Sequence, residues 1–384
     1  MSAPSRAAVV GVGESDLGIT SKSSIELLVQ AAQGAAEDAG ITLGEIDGLA
    51  VTGIAQYSAA QVSEYLGLQP NWTNSSFSGG SSWEQYLGDA AEAVAGGRAN
   101  AVLLAYGSNQ RSARSRTLAP APDRTTHQGR WEAPHRPLYP VSLYAMAATR
   151  YLHEYGVEMA ELAEVAVAAR EWAILNPRAF RYEAGSLSAA DVLASPLVSS
   201  PLRSLDCCLV TDGGGAVIVT ALERARSLRR RPVVVLGHGD ATTSVTMAGV
   251  PDLLHTGAVV SGKRAFERAG LEPGDVDVAE IYDSFTITVL LSLEALGFCG
   301  FGEAAEFVRD RGIRPGGAFP MNTSGGGLSY CHPGMFGIFL IIEAVRQLRG
   351  ECGPRQVAGA EVALVHGTGG ILSTHSTVLL AVDR

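Results

Sequence analysis

The chain has 384 residues, and 29 Lys+Arg against 39 Asp+Glu leave a formal net charge of −10, without the basic stripe that phosphate-backbone binding requires, so no nucleic-acid partner is expected. Hydrophobic residues make up 46%, which argues against long disorder, and the longest apolar runs, such as residues 336–342, fall short of the roughly 18 residues of a membrane span, so a soluble protein without a membrane partner is expected. Five cysteines (Cys207, Cys208, Cys299, Cys331, Cys352) form no CxxC pair, the eight histidines show no metal-ligand spacing, and Lys22 and Lys263 are the only lysines, which disfavours disulfide, metal and Schiff-base chemistry alike.

Residues 1–6 lack an apolar segment of signal-peptide length and the last three residues match no retention address, so a cytoplasmic location is expected. After a short apolar run at 7–12, Gly11-Val-Gly13 opens like a dinucleotide fingerprint, but Asp16 stands where the third glycine should fall. An amphipathic helix follows, with Ile25, Leu28, Ala32, Ala35 and Ala39 on one face and Gly40 placed to cap it, and it leads to a strand at 48–51. A helix containing Glu92-Ala-Val94 turns through glycine into a strand at 101–105. An insertion at about 109–200 then carries Arg111, Arg114, Arg116, Trp131 and His135 among several prolines, followed by a helical stretch at about 143–175. Insertions of that size on a repeated scaffold usually form the substrate-facing side, and three arginines within six residues suit a polyanionic ligand as well as a solvated loop. A strand-like stretch at 209–220 contains Asp212-Gly-Gly-Gly-Ala216.

The second part of the chain repeats the first. Ala35, Glu37, Ala39, Gly40, Gly44 and Asp47 recur as Ala265, Glu267, Ala269, Gly270, Gly274 and Asp277 at a constant offset of 230. A second echo pairs Glu92-Ala-Val94 with Glu343-Ala-Val345, each followed by a turn and an apolar strand, the later one at 362–365. Strands alternating with helices imply βαβ units and a mostly parallel sheet covered on both faces. We read 1–225 and 226–384 as two similar βαβαβ halves of an α/β protein.

Three segments of the second half offer polar side chains and unpaired N–H groups at strand-to-helix junctions, where an oxyanion can be stabilised. They are Tyr282-Asp283-Ser284-Phe285, the run from Asn322-Thr-Ser-Gly325-Gly326-Gly327 to Cys331-His332-Pro333-Gly334, and His366-Gly-Thr-Gly-Gly370.

With these motifs the chain resembles the thiolase superfamily over essentially its full length. Residues 279–299 resemble the sterol-carrier-protein-type thiolases, whose pattern there is His-Asp-Cys-Phe, and more closely the thiolase-like lipid-transfer proteins that act as steroid side-chain aldolases, with Tyr-Asp-Cys-Phe. The resemblance implies a thiolase fold, with two βαβαβ halves forming a five-layered α-β-α-β-α core and an inserted loop domain. It also places the thiolase nucleophilic cysteine at Gly80, the Cys of the His-Asp-Cys-Phe pattern at Ser284 and its His at Tyr282, and the third thiol at about His366. Ser81 lacks an identifiable base, and Cys331 could serve only as a displaced nucleophile.

The resemblance therefore implies a lyase that cleaves a β-hydroxyacyl-CoA of a steroid or other bulky lipid side chain by a retro-aldol step without a covalent nucleophile. Tyr282 and His332 are the acid/base candidates, and His366 is a candidate donor to the enolate oxygen. The aldolase relatives carry tyrosine at both of the first two positions, so His332 is a departure. Arg111, Arg114, Arg116, Gly325 and Gly326 are the candidates for holding coenzyme A, which enters as the thioester substrate, with no covalently bound cofactor. A homodimer with a zinc-ribbon OB-fold partner is implied. The same loss of the nucleophile also fits a non-catalytic acyl-CoA-binding scaffold subunit, and an acyltransferase or thiolase using Ser81 or Cys331 is a third reading.

Overall fold

The computed structural model describes residues 7–54, 58–115 and 123–383. The first half runs β1 (Ala7–Glu14), α1 (Ser24–Ala39), β2 (Gly48–Ala50), α2 (Ser58–Leu66), β3 (Trp72–Asn74), α3 (Ser82–Ala95) and β4 (Ala101–Ser108). The insertion adds α4 (Val141–Tyr155), α5 (Met159–Ala173), α6 (Ala189–Ala194) and the small hairpin of β5 (Leu197–Ser199) and β6 (Leu202–Arg203), before β7 (Gly213–Ala221) and α7 (Leu222–Ala225). The second half runs β8 (Val233–Thr242), α8 (Ala258–Ala269), β9 (Val278–Ile281), α9 (Thr286–Ala295), α10 (Ala304–Phe307), α11 (Gly337–Arg349), β10 (Val362–Gly369) and β11 (Thr374–Val382).

The repeated sequence blocks fold alike because their small residues allow the same close approach. In α1, Ser23 and Glu26 form a capping box and Gly40 closes the helix in the left-handed region at φ 74°. A Cβ on Gly11 of β1 would stand 2.2 Å from the Ala35 carbonyl of α1, and one on Gly237 of β8 would stand 2.4 Å from the Ala265 carbonyl of α8. Glycine at both strand positions lets helix and strand backbones touch.

The nine strands other than β5 and β6 form one sheet in the order β3-β2-β4-β7-β1-β8-β11-β10-β9. Its two parts mirror each other outward from the β1/β8 seam, where Ala8 pairs with Val234 and Val9 with Val233. Beyond β9 the chain at Met321 bridges Ala279 in parallel, the place that β3 takes beside β2. Three apolar clusters separate the layers. One lies between α1 and the first part of the sheet, the second holds α3 and α11 between the two parts, and the third lies between the second part and α9 with the insertion helices. This is the α-β-α-β-α layering that the resemblance implies.

Three details differ from the sequence reading. The sheet is mixed, since only β2/β3, β2/β4 and β9/β10 pair in parallel. In each half the last strand returns antiparallel, β7 through the long insertion and β11 through a tight hairpin from β10, and neither connection is a helical crossover. The helical stretch at 143–175 breaks at Gly156, at φ 66°, into α4 and α5. The strand at 209–220 starts only at Gly213, because Leu209, Thr211 and Asp212 donate their N–H groups to the carbonyls of Gly327, His332 and Gly18 instead of to a sheet neighbour. No helix among the described residues is long and apolar enough to cross a membrane.

Candidate active site

The two central helices start side by side. The Gly80 carbonyl, just ahead of α3, lies 2.5 Å from where a Cβ on Gly337, the first residue of α11, would stand. The partial positive charge of both helix starts converges there. Tyr282 enters between them. It follows β9, and its N–H donates to the His366 carbonyl of β10 at 2.9 Å. This pairing continues the strand alternation and points Tyr282 into the central layer with Val278 and Glu280.

The Tyr282 hydroxyl accepts from the Phe336 N–H at 3.0 Å and lies 3.0 Å from His332 Nε2. Burial pushes the phenol well above its usual range, so it is a neutral hydroxyl. The His332 ring stacks on Phe336 at 6.2 Å, while its backbone N–H donates to Thr211 Oγ1 at 3.0 Å and its carbonyl accepts from the Thr211 N–H at 3.2 Å. Enclosure lowers the imidazole to about 4, so His332 is neutral at pH 7. The non-strand course of 209–212 thus fixes the histidine.

A Cβ on Gly80 would stand 2.5 Å from Tyr282 Cε2 and 2.4 Å from the Thr368 carbonyl. The tyrosine ring fills the space into which a side chain at position 80 would project. Ser81 Oγ donates to the Ser78 carbonyl at 2.9 Å and pairs with Thr374 Oγ1 at 2.8 Å, and Ser82 Oγ donates to the Gly79 carbonyl at 2.7 Å. Neither serine meets a histidine among the described residues. Cys331 is 0% exposed, and burial, with Glu14 adding to it, holds its thiol far above the thiolate range. Iodoacetamide should therefore leave activity intact; labelling of Cys331 in step with lost turnover, with substrate protecting both, would show a nucleophile at work.

The structure brings Tyr282 and His332 together, but not His366. The His366 side chain points to the opposite face of β10, where Nδ1 meets Thr377 Oγ1 at 2.9 Å and Nε2 lies 3.4 Å from His375 Nδ1. Only its carbonyl reaches Tyr282. Gly325 and Gly326 are buried at φ 106° and 63°. Their N–H groups donate to the Asn322 carbonyl at 2.8 Å and to Ser324 Oγ at 3.3 Å, so both are engaged within the loop. The next two N–H groups, of Gly327 and Leu328, donate to the Asp283 carboxylate at 2.6 and 3.2 Å. The glycines shape the loop behind His332: a Cβ on Gly326 would stand 2.1 Å from Asp283 Oδ2.

Arg111 and Arg114 are exposed on the insertion, and Arg116 lies outside the described residues. Arg111 donates to the Val210 carbonyl at 3.1 Å and covers the Phe180 ring at 5.6 Å. Arg181 covers the same ring at 5.7 Å. Phe180 and Arg181 donate their N–H groups to the carbonyls of Tyr330 and Ser329, beside His332. Arg181 and Thr211 escaped the sequence reading because neither lies in a motif.

The Thiolase C-terminal domain-like family matches residues 239–382. The 17-hydroxy-3-oxo-4-pregnene-20-carboxyl-CoA lyase of Mycobacterium tuberculosis is 36% identical, over 95% of this chain and 97% of that protein. An acetyl-CoA acetyltransferase of Methanothermobacter thermautotrophicus is 34% identical over 96% and 98% of the two chains. Among solved structures, the Ltp2-ChsH2(DUF35) aldolase superposes with a TM-score of 0.90 at 31% identity, covering 99% of each chain.

Proposed function

This chain belongs to the thiolase superfamily, in its sterol-carrier-protein-type thiolase-like branch, and on that premise we propose that it is a carbon–carbon lyase that cleaves a β-hydroxyacyl-CoA by a retro-aldol step. The observation that carries this reading is the Tyr282–His332 pair lodged over Gly80, where an acyl-transfer enzyme of the superfamily would carry its thiol. It supplies proton transfer at a point where covalent catalysis is absent.

As the β-hydroxyl proton moves to Tyr282 Oη, the tyrosine passes its own proton to His332 Nε2. The Cα–Cβ bond breaks, the β-carbon becomes a carbonyl, and the electron pair delocalises into the thioester as an enolate. The protons then run back, and the enolate carbon takes one to give the shortened acyl-CoA, so atoms and charge balance. The imidazolium formed in passing is opposed by the enolate beside it, which offsets the cost of charging a buried ring. In this reading, N–H groups at the starts of α3 and α11 stabilise the enolate oxygen.

A steroid or other bulky lipid side chain as the acyl group, and a small zinc-ribbon OB-fold protein as partner of a homodimer, extend the proposal. The lyase named above supports the acyl group, and the aldolase whose name couples Ltp2 with ChsH2(DUF35) supports a second protein as partner; the homodimer and the partner's zinc-ribbon OB-fold rest on the family resemblance alone. The test is to incubate the protein, alone and with such a partner, with a β-hydroxyacyl-CoA carrying a steroid side chain, and to follow release of the ketone and the shortened thioester. Binding without cleavage would establish the scaffold reading, and acyl transfer to free coenzyme A the acyltransferase one.

Arg111 enters the proposal as a contact for the phosphates of coenzyme A, with Arg114 beside it. Arg111→Glu should raise KM for the thioester with little change in kcat, the pattern of lost uniform binding. An unchanged KM at low salt would remove the insertion arginines from the site.

A further inference from the structure

We propose that Glu84 is a positioning residue for Tyr282, its carboxyl wedged between the two main-chain segments that hold the tyrosine hydroxyl and the tyrosine amide. Glu84 lies in the first turn of α3, is 0% exposed, and neither of its carboxyl oxygens is hydrogen-bonded to another residue among the described residues. A Cβ on Gly337 would stand 2.6 Å from Glu84 Oε2, and one on Gly367 would stand 2.1 Å from it. Both positions are bare, and the carboxyl fills the slot between them. Gly337 directly follows Phe336, whose N–H binds the Tyr282 hydroxyl, and Gly367 directly follows His366, whose carbonyl binds the Tyr282 N–H. The spacing between these two anchors is therefore set across the Glu84 side chain.

The wall behind the carboxyl is also polar. Gly367 pairs with Ser376 and Ser376 with Asp240, so these three residues form a row across β10, β11 and β8 that faces α3. Ser376 is 1% exposed, and its Oγ and Asp240 Oδ1 lack a protein partner among the described residues. Burial raises the Glu84 carboxyl to about 8, and Asp240 adds to the rise. It is a neutral acid at pH 7, and an ion at this place would press a negative charge against the Phe336–Gly337 peptide, where the enolate charge has to be accommodated. The other titratable side chain on the same face of β8, His238, is drawn to Glu92 at 3.1 Å and to Arg268. Gly367 and Gly337 bring no titratable side chain, and the Tyr282 phenol stays neutral.

This inference rests on the role given to Tyr282 above. Glu84→Leu should lower kcat about 10- to 100-fold while KM stays within about twofold, the effect of a small displacement of the reacting groups. Glu84→Gln should recover most of that loss and abolish the fall in kcat expected of the wild type above about pH 8, where the Glu84 carboxyl ionises. Wild-type kcat in Glu84→Leu, or a basic limb that persists in Glu84→Gln, would overturn the assignment. A readout independent of turnover is the Cζ resonance of Tyr282 in protein labelled with 13C-tyrosine, assigned by its loss in Tyr282→Phe. It should shift with a group titrating near pH 8 in the wild type and stay flat in Glu84→Gln. That shift without β-hydroxyacyl-CoA cleavage would sink the proposed reaction and keep the positioning role, whereas a resonance flat in both proteins would sink the positioning role itself.

Discussion

Tyr282→Phe should cut kcat by roughly 10² to 10⁴ while binding of the coenzyme A ester stays nearly intact, the range expected when a positioned acid/base is removed. The substitution deletes one hydroxyl and keeps the ring, which packs against Gly80 and edge-on to Phe336 at 6.0 Å. What is lost is the group that links His332 Nε2 to the Phe336 N–H, each 3.0 Å from the phenol oxygen. If Tyr282 were simply a core residue with a satisfied hydroxyl, the cost would be about 1 to 3 kcal/mol of stability, chiefly from stranding the Phe336 N–H, and turnover would persist. Thermal unfolding and single-turnover cleavage of the same preparation separate the two outcomes. His332→Ala tests the partner: if the residues act as one unit, the double variant is no slower than the slower single variant, and additive losses in kcat would show that they act separately.

The repeat was legible in the sequence because small residues in a fixed register leave a trace that needs no tertiary context. Gly40 and Gly270 cap equivalent helices at φ 74° and 67°, and alanines face both strand glycines. Tyr282 and His332 were also legible, as polar residues at strand-to-helix junctions, since the ends of secondary structure elements are where side chains of distant segments meet. Three things were hidden. Sheet polarity depends on how the chain returns through the insertion and the β10/β11 hairpin, which local patterning does not encode. The orientation of His366 depends on strand parity: Tyr282 and Gly367 face the central layer, so His366 faces away, and counting motif positions cannot tell one face from the other. Glu84 and Thr211 carry no motif at all. A lone glutamate on a helix reads as solvated surface, and only the meeting of α3 with the bare Gly337 and Gly367 turns it into a buried group.

Gly80→Cys should not restore a thiolase; it should inactivate the protein, with kcat for lyase turnover falling about 10²-fold or more and no acyl-enzyme accumulating. The relation between Gly80 and Tyr282 is one of mutual exclusion. A Cβ at position 80 would lie 2.5 Å from Tyr282 Cε2, 2.7 Å from its Cζ and 2.4 Å from the Thr368 carbonyl. The carbonyl is strand backbone and cannot swing aside, and the ring is enclosed by Phe336 and His332. Strain of about 1 to 3 kcal/mol is expected for such overpacking, released by displacing the ring and with it the hydroxyl from His332. The new thiol would have no base to ionise it either, because His332 is the imidazole facing this pocket and Tyr282 stands against it. Gly80→Ala isolates the steric part and should lose lyase turnover to a similar degree. The double variant Gly80→Cys with Tyr282→His removes the clash, and only in that background should mass spectrometry detect an acylated cysteine. An acyl-enzyme in the single Gly80→Cys variant, with lyase activity retained, would mean that ring and thiol can share the pocket and that the tyrosine is not what replaced the nucleophile.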